Sequence, residues 1–326
     1  MVDSTEDRKF GLTNALSRER YRILRSNTKG KMRMTLTQNN SRASVKPVWF
    51  ITGCSSGFGY QIAKHVLELG YRVVITARNT EDVRGIAQFG DALVLELDVT
   101  NRSQAEAAVK KAEEHFGGID VLVNNAGIGY FAAVEESDET EVRKMFEVNV
   151  FGLCRMIHIV LPGMRKRRKG FIVNLSSIAG LRSFPALGYY NSTKFAVEGL
   201  SEALWQEVEP LGIHVMLVEP SGFRTDWAGR SANETMHPID DYADTAHKNI
   251  QQLRDVSGHQ SGDPVRAAEA IVHAVESQNP PRRLLLGNDA YDGAISKLEE
   301  LRVSFTDWEA VSRGADFPEA SPVGMA

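Results

Sequence analysis

Only two cysteines, Cys54 and Cys154, occur in the chain. This excludes a disulfide scaffold and any cysteine-built zinc site, and it suits a reducing, cytoplasmic setting. The eight histidines show no metal-ligand spacing, so no metal is expected. No uninterrupted apolar run reaches the roughly 18 to 20 residues that a bilayer-crossing helix needs, so no membrane span is expected. Internal repeats are also missing. What is present is ordinary for a globular protein: 42% hydrophobic and 25% charged residues. The charge is unevenly placed. Residues 1–46 carry 11 Lys and Arg against 4 Asp and Glu, whereas the rest of the chain has a net charge of −11. An acidic body makes nucleic acid an unsuitable partner.

The basic stretch 1–46 has no sustained apolar period and reads as a disordered leader. Its Arg and Ser content fits a mitochondrial presequence, but Asp3, Glu6 and Asp7 at its start argue against one. An over-long gene start fits as well, with Met32 or Met34 beginning the body. From Val48 the pattern becomes regular. Apolar runs at 48–52, 72–76, 92–97, 119–124, 171–175, 213–218 and 283–286 predict seven strands. Helical patterns over 61–69, 102–116, 139–169, 188–210 and 263–277 separate most of them, with a weak surface helix over 290–311. Strands alternating with helices predict an α/β domain: a Rossmann-type, doubly wound, seven-stranded parallel sheet over residues 47–313. Residues 314–326 form a short tail. The polar segment of about 221–262 is too long for a plain connection and reads as a substrate-binding loop.

Chemistry concentrates after the first predicted strand, in Gly53-Cys54-Ser55-Ser56-Gly57-Phe58-Gly59. Small residues there permit a tight turn, and the following helix offers free N–H groups to a pyrophosphate. Cofactor choice is read at the end of the second strand. No carboxylate stands there for a ribose 2′-hydroxyl; Ala77 is followed by Arg78, a bidentate phosphate binder, so NADP is expected over NAD. Asp98 and Val99 end the third strand where an adenine edge fits, although an aspartate there also suits a plain turn. Tyr190 and Lys194 lie four apart and share a helix face. An ammonium beside a phenol favours the phenolate, turning tyrosine into a usable acid/base. Ser176 and Ser177 end the fifth strand, at the ligand-binding edge of such a sheet. Bland readings suffice elsewhere. Arg165-Lys166-Arg167-Arg168-Lys169 complements a helix dipole, and Cys54 is a small packing residue.

These residues carry a resemblance. The glycine turn, Asn124-Asn125-Ala126-Gly127, Asn149, Ser177 and Tyr190-x-x-x-Lys194 stand in the order and spacing of short-chain dehydrogenases/reductases. The phrases around Val48–Gly59 and Glu219–Asp226 are similar to the 17β-hydroxysteroid-dehydrogenase-like and retinol-dehydrogenase-like subgroup. The resemblance implies that Tyr190 is the acid/base, that Lys194 holds the nicotinamide ribose, that Ser177 orients the substrate oxygen, and that Asn149 holds a water of the proton relay. It places Asn125, Ala126 and Gly127 along the cofactor ribose, Asp98 and Val99 at the adenine, and Pro220, Gly222 and Thr225 at the nicotinamide. One departure is Ser221, inserted within the usual Pro-Gly. The expected function is NADP-dependent interconversion of an alcohol and a ketone or aldehyde, on an apolar substrate walled by Phe184, Pro185, Phe223 and Trp227. A homodimer or homotetramer through the two long helices is also expected, with Phe195, Val197, Leu200, Leu204 and Trp205 supplying surplus apolar surface. Two rivals remain: a catalytically silent nucleotide-sensing regulator, which should lack Tyr190 or Lys194, and a nucleotide-sugar epimerase or dehydratase, which should carry a larger C-terminal domain.

Overall fold

Strand β1 (Val48–Ile51) is buried along its whole length, and its side chains alternate between two cores. Trp49 and Ile51 pack on one face of the sheet, Val48 and Phe50 on the other. This is why the strand reads as a continuous apolar run and not an alternating one. The computed structural model describes residues 46–317 apart from Arg230, and these belong to one unit. The leader expected over 1–46, save Lys46, and most of the expected tail fall outside the described residues.

Helix α1 (Gly57–Glu68) follows β1, and β2 (Arg72–Ala77), β3 (Ala92–Glu96), α2 (Arg102–Phe116) and β4 (Val121–Asn124) continue the alternation. A short strand, β5 (Gly129–Phe131), precedes α3 (Glu139–Phe146), a π-helical turn at Glu147–Gly152, and α4 (Leu153–Arg167). Next come β6 (Gly170–Leu175), α5 (Gly188–Val208) and β7 (Ile213–Pro220). The loop that follows contains β8 (Ala232–Glu234) and α6 (Lys248–Asp255). The chain then forms α7 (Pro264–Glu276), β9 (Arg283–Leu286), α8 (Asn288–Asp307) and α9 (Glu309–Arg313).

The seven-stranded sheet is parallel throughout, in the order β3-β2-β1-β4-β6-β7-β9. The order reverses between β1 and β4, and such a switch point opens a crevice beyond the strand C-termini. Ile62 and Val66 of α1 and Ile271 and Val272 of α7 cover one face. Val109 of α2, Met156 and Val160 of α4, and Leu204 and Val208 of α5 cover the other. Each such side chain contributes about 1.5 to 3 kcal/mol when fully withdrawn from water.

Several ends follow local chemistry. Asp263 accepts the Val265 N–H at 2.8 Å with Pro264 at the first helical position, which starts α7. The basic cluster closes α4: Arg165, Lys166 and Arg167 fill its last turn and Arg168 turns left-handed at φ 55°. One expectation needs correcting. The long segment after Glu139 is interrupted by the π-turn and is not one uniform helix. The stretch Glu139–Arg167 is also long and apolar enough to cross a membrane, with mean hydropathy 1.4 over its best window. Counting only unbroken apolar runs hides it, because isolated polar residues interrupt the stretch. Its Met156, Val160 and Met164 are buried against the sheet.

Candidate active site

Every site residue read from the sequence lies at the C-terminal edge of the sheet or on an element that returns to it. The β1–α1 turn is tied to β4. Thr52 Oγ1 accepts the Asn125 and Ala126 N–H groups at 2.9 and 3.0 Å, and Asn125 Nδ2 donates to Thr52 O and Gly53 O, both at 2.9 Å. Asn125 thus stitches the turn to its neighbour, a job beyond the ribose contact expected of it. Gly57 adopts φ +59°, which disfavours a side chain, and leaves bare backbone facing Thr225. A Cβ on Gly59 would sit 2.3 Å from Gly53 O, so only glycine lets the helix approach the turn this closely.

A continuous cavity of about 1520 Å³ runs along this edge. At one end lie Arg78, Asp98 and Val99, with Ser55, Ser56, Phe58 and Gly127 along its course. Pro220, Gly222 and Thr225 line it farther on, near Ser177, Tyr190 and Lys194. Bare glycine backbone, a helix N-terminus behind it and an exposed guanidinium at the far end form a cradle that fits a dinucleotide. Asp98 also serves the turn: its Oδ1 accepts the Thr100 N–H and hydroxyl at 2.8 and 2.7 Å.

Tyr190 and Lys194 come from α5, one turn apart. Lys194 Nζ donates to Leu175 O at 2.8 Å, which fixes it beneath β6, and lies 5.6 Å from the Tyr190 ring centroid. Ser177 accepts the Ala179 N–H at 3.1 Å and donates to Pro220 O at 3.4 Å. Its hydroxyl faces the Tyr190 phenol. Burial pushes the phenol above its ordinary range, with Ser177 opposing. Burial also pulls Lys194 down to about 8, with Glu198 opposing. The sequence reading expected the ammonium to lower the tyrosine pKa. In the structure burial is the largest influence on the phenol and keeps it protonated.

Asn149 sits in the π-turn, a feature common at functional sites. Its Oδ1 accepts the Ile128 N–H at 2.8 Å, and its Nδ2 donates to Ile128 O at 2.9 Å and Thr193 Oγ1 at 3.3 Å. The asparagine therefore clamps the strand end beside the site. Trp227 closes over Tyr190 with ring centroids 4.7 Å apart. Phe184, Phe223 and Trp227 line the cavity as expected. Pro185 does not: it is exposed, and its carbonyl accepts Asn249 Nδ2 at 2.7 Å. Leu187, Leu253 and Val256 complete the apolar wall. Leu253 belongs to α6, which has no fully buried residue and so showed no apolar period in the sequence.

Comparison with known proteins agrees with this geometry. The family profile described as short chain dehydrogenase matches residues 47–235. The chain is 38% identical over 268 residues to an oxidoreductase, BOA17, of Botryotinia fuckeliana, covering 81% of this chain and 97% of that protein. It is 39% identical over 238 residues to the 3-ketodihydrosphingosine reductase of Bacteroides thetaiotaomicron, covering 73% and 86%. Among solved structures, a short-chain dehydrogenase from Streptomyces avermitilis superposes with TM-score 0.77 at 40% identity, covering 83% of this chain and all of the other. An alcohol dehydrogenase from Thermococcus sibiricus complexed with 5-hydroxy-NADP gives TM-score 0.62 at 27% identity, covering 74% and 96%. A short-chain dehydrogenase/reductase from Burkholderia phymatum in complex with NAD gives TM-score 0.68 at 25% identity, covering 85% and 98%.

Proposed function

The chain belongs to the short-chain dehydrogenase/reductase family and is a nicotinamide-dependent oxidoreductase, and from that premise we propose that it reduces the carbonyl of an apolar substrate with NADPH. The observation that carries this reading is the convergence of Ser177, Tyr190 and Lys194 on one cavity that begins at Arg78 and ends at an apolar wall. When bound, the nicotinamide supplies the hydride. The residues of the chain do the rest. Tyr190, kept protonated by burial, gives its proton to the substrate oxygen. Ser177 donates to the same oxygen, so the charge growing there meets two preplaced donors. Lys194, anchored on Leu175 O, holds a positive charge beneath the phenol and supports the ribose.

Arg78 supports the choice of NADPH. It is exposed at the end of the cavity, directly after β2, and Ala77 beside it offers no carboxylate to a ribose. Hydrogen bonds to charged groups contribute about 1.5 to 3 kcal/mol each, so even one corresponds to roughly a tenfold preference. Phe184, Leu187, Trp227, Leu253 and Val256 support an apolar substrate. The name of the Bacteroides thetaiotaomicron relative, a reductase of a keto lipid, points the same way. Assembly in pairs is part of the proposal. Val197, Leu204 and Trp205 are spent on the chain's own core, but Phe195 (45% exposed) and Phe151 (54%) stay open on the two long helices. The test is a panel of long-chain and cyclic ketones with NADPH and NADH, read by loss of reduced-cofactor fluorescence. Faster turnover of apolar ketones with NADPH is expected. Equal use of both cofactors would overturn the Arg78 assignment.

A further inference from the structure

Directly behind the Tyr190–Lys194 pair lies a buried polar cluster that the proposed reaction does not use. Glu198 stands one turn beyond Lys194 on the same face of α5, and both are nearly closed to solvent, 5% and 7% exposed. Glu219 rises from β7, and Arg283 from the adjoining strand β9. Arg283 Nη1 donates to the Glu198 carboxylate and to Glu219 Oε1, the latter at 2.7 Å. Its Nη2 reaches Glu202 Oε2, on the exposed side of α5, at 3.3 Å. Ser176 Oγ faces Glu198 from the end of β6 without completing a hydrogen bond of normal geometry. One oxygen of each buried carboxyl, Glu198 Oε1 and Glu219 Oε2, also lacks a partner.

The charges do not balance within the cluster. One guanidinium faces three carboxyls, two of them out of water, and two buried carboxylates beside one cation do not both ionise at low cost. Burial and repulsion from Glu198 push the Glu219 carboxyl above its ordinary range, and burial likewise raises Glu198. Near neutral pH the two therefore share a proton, and the pair keeps one negative charge beyond what Glu202 brings. The next cation along this face is Lys194, which has the opposite problem. Its ammonium is buried with a carbonyl as hydrogen-bond partner, and burial favours loss of its charge.

We propose that Glu198 is a positioning residue for the reaction: held by Arg283, its carboxylate keeps the buried Lys194 in the ammonium form, while Glu219 stores the proton that the pair cannot release. Without that anion Lys194 becomes a neutral amine at working pH, with no charge to offer the phenol or the ribose hydroxyls. The inference rests on the reading that Lys194 supports the cofactor ribose. Cofactor affinity should then fall as pH rises through the lysine pKa.

The experiment is an NADPH fluorescence titration on the full chain, from about pH 6 to about pH 10, with no substrate present. The wild type should bind more weakly above about pH 8, and Lys194→Met should abolish that break, which assigns it to the lysine. Glu198→Gln should move the break about one unit lower, making NADPH binding roughly fivefold weaker at pH 8 but unchanged at pH 6. Glu219→Gln, which takes a carboxylate from the same guanidinium but leaves Glu198 ionised, should leave the break in place. Should Glu198→Gln fail to fold, Glu198→Met removes the charge with a chain of the same length and should give the same shift. A break in the wild type that neither Glu198 variant moves overturns the proposal alone. Equal shifts in the Glu198 and Glu219 variants also overturn it, because a merely structural cluster would respond alike to either loss. A wild type with no break overturns both the proposal and the lysine–ribose reading beneath it.

Discussion

The two halves of the cavity are held by different means. The dinucleotide half is built from strand ends and the turns between them. Its ties, such as Thr52 to Asn125 and Ala126, join adjacent strands of one sheet. The other half, the proposed substrate side, is a long segment held to the body by the three-residue β5–β8 ladder and a few side chains. Glu136 is buried and accepts the Ala133 N–H at 2.9 Å, the Ile239 N–H at 2.6 Å and His247 Nε2 at 2.6 Å. Arg254 ties the segment to itself, donating to Ala228 O at 2.7 Å, Gly229 O at 2.9 Å and Ala232 O at 3.1 Å, and its guanidinium lies 4.9 Å from the ring centre of Phe131 on β5. A sheet edge cannot open without breaking a long ladder, whereas a loop held by three paired residues and a few side chains can detach locally. The fixed half thus suits a cofactor of constant shape, and the pinned half suits closure over a substrate.

Four experiments would break or sharpen this contrast. The largest effect should come from Tyr190→Phe, which removes the proton donor from the fixed wall. kcat should fall by about 10² to 10⁴ while NADPH affinity stays nearly constant. Steady-state kinetics and fluorescence titration read the two. Arg78→Ala tests the fixed half alone, and NADPH should bind about tenfold more weakly while NADH is hardly affected. Glu136→Ala tests the pinned half. It leaves two N–H groups unpaired, so KM for an apolar ketone should rise about tenfold with cofactor affinity intact. A matching loss of NADPH binding would show that the halves are not independent.

The smallest effect is one of pH. Burial alone would raise the Glu136 pKa, but the Ile239 and Ala133 N–H groups and His247 together hold it below the ordinary carboxylate value. A depressed carboxylate contributes stability that is full above the unfolded pKa and is lost as pH falls through the folded one. Limited proteolysis should therefore cut within residues 221–262 more readily at acid pH, before the sheet unfolds. Global melting at the same pH as loop cleavage would remove the distinction.

The same contrast explains what was legible in the sequence. α2 and β9 agree with their apolar patterns at both ends: α2 buries one regular face of small residues on the sheet, and β9 is a short apolar strand at the sheet's edge. Ser177, Tyr190 and Lys194 follow from spacing, since helix geometry and strand ends place them automatically. The pinned half left weaker marks. β5 and β8 are three residues each and pair across about a hundred residues of chain, so neither shows a period. α6 covers the cavity with polar residues around Leu253, and its pattern resembles a loop. Glu136 and His247 look like surface charges until the fold brings them together. Glu198 did leave a signal, four residues after Lys194, but a glutamate at that spacing on a long helix is ordinary until Glu219 and Arg283 are seen behind it.

The two-stranded ladder offers an observer's handle on closure. β8 holds β5 through the Gly129–Ala232 pairing, and the Gly129 N–H donates to Ser231 O at 3.0 Å, so this amide is tied to the loop itself. Peeling the loop away frees it. The Gly129 proton then becomes a clock: its exchange with deuterated solvent quickens with every increase in loop opening. Comparing that rate with and without a bound ketone would show how often the enzyme opens for its substrate, without a turnover being measured.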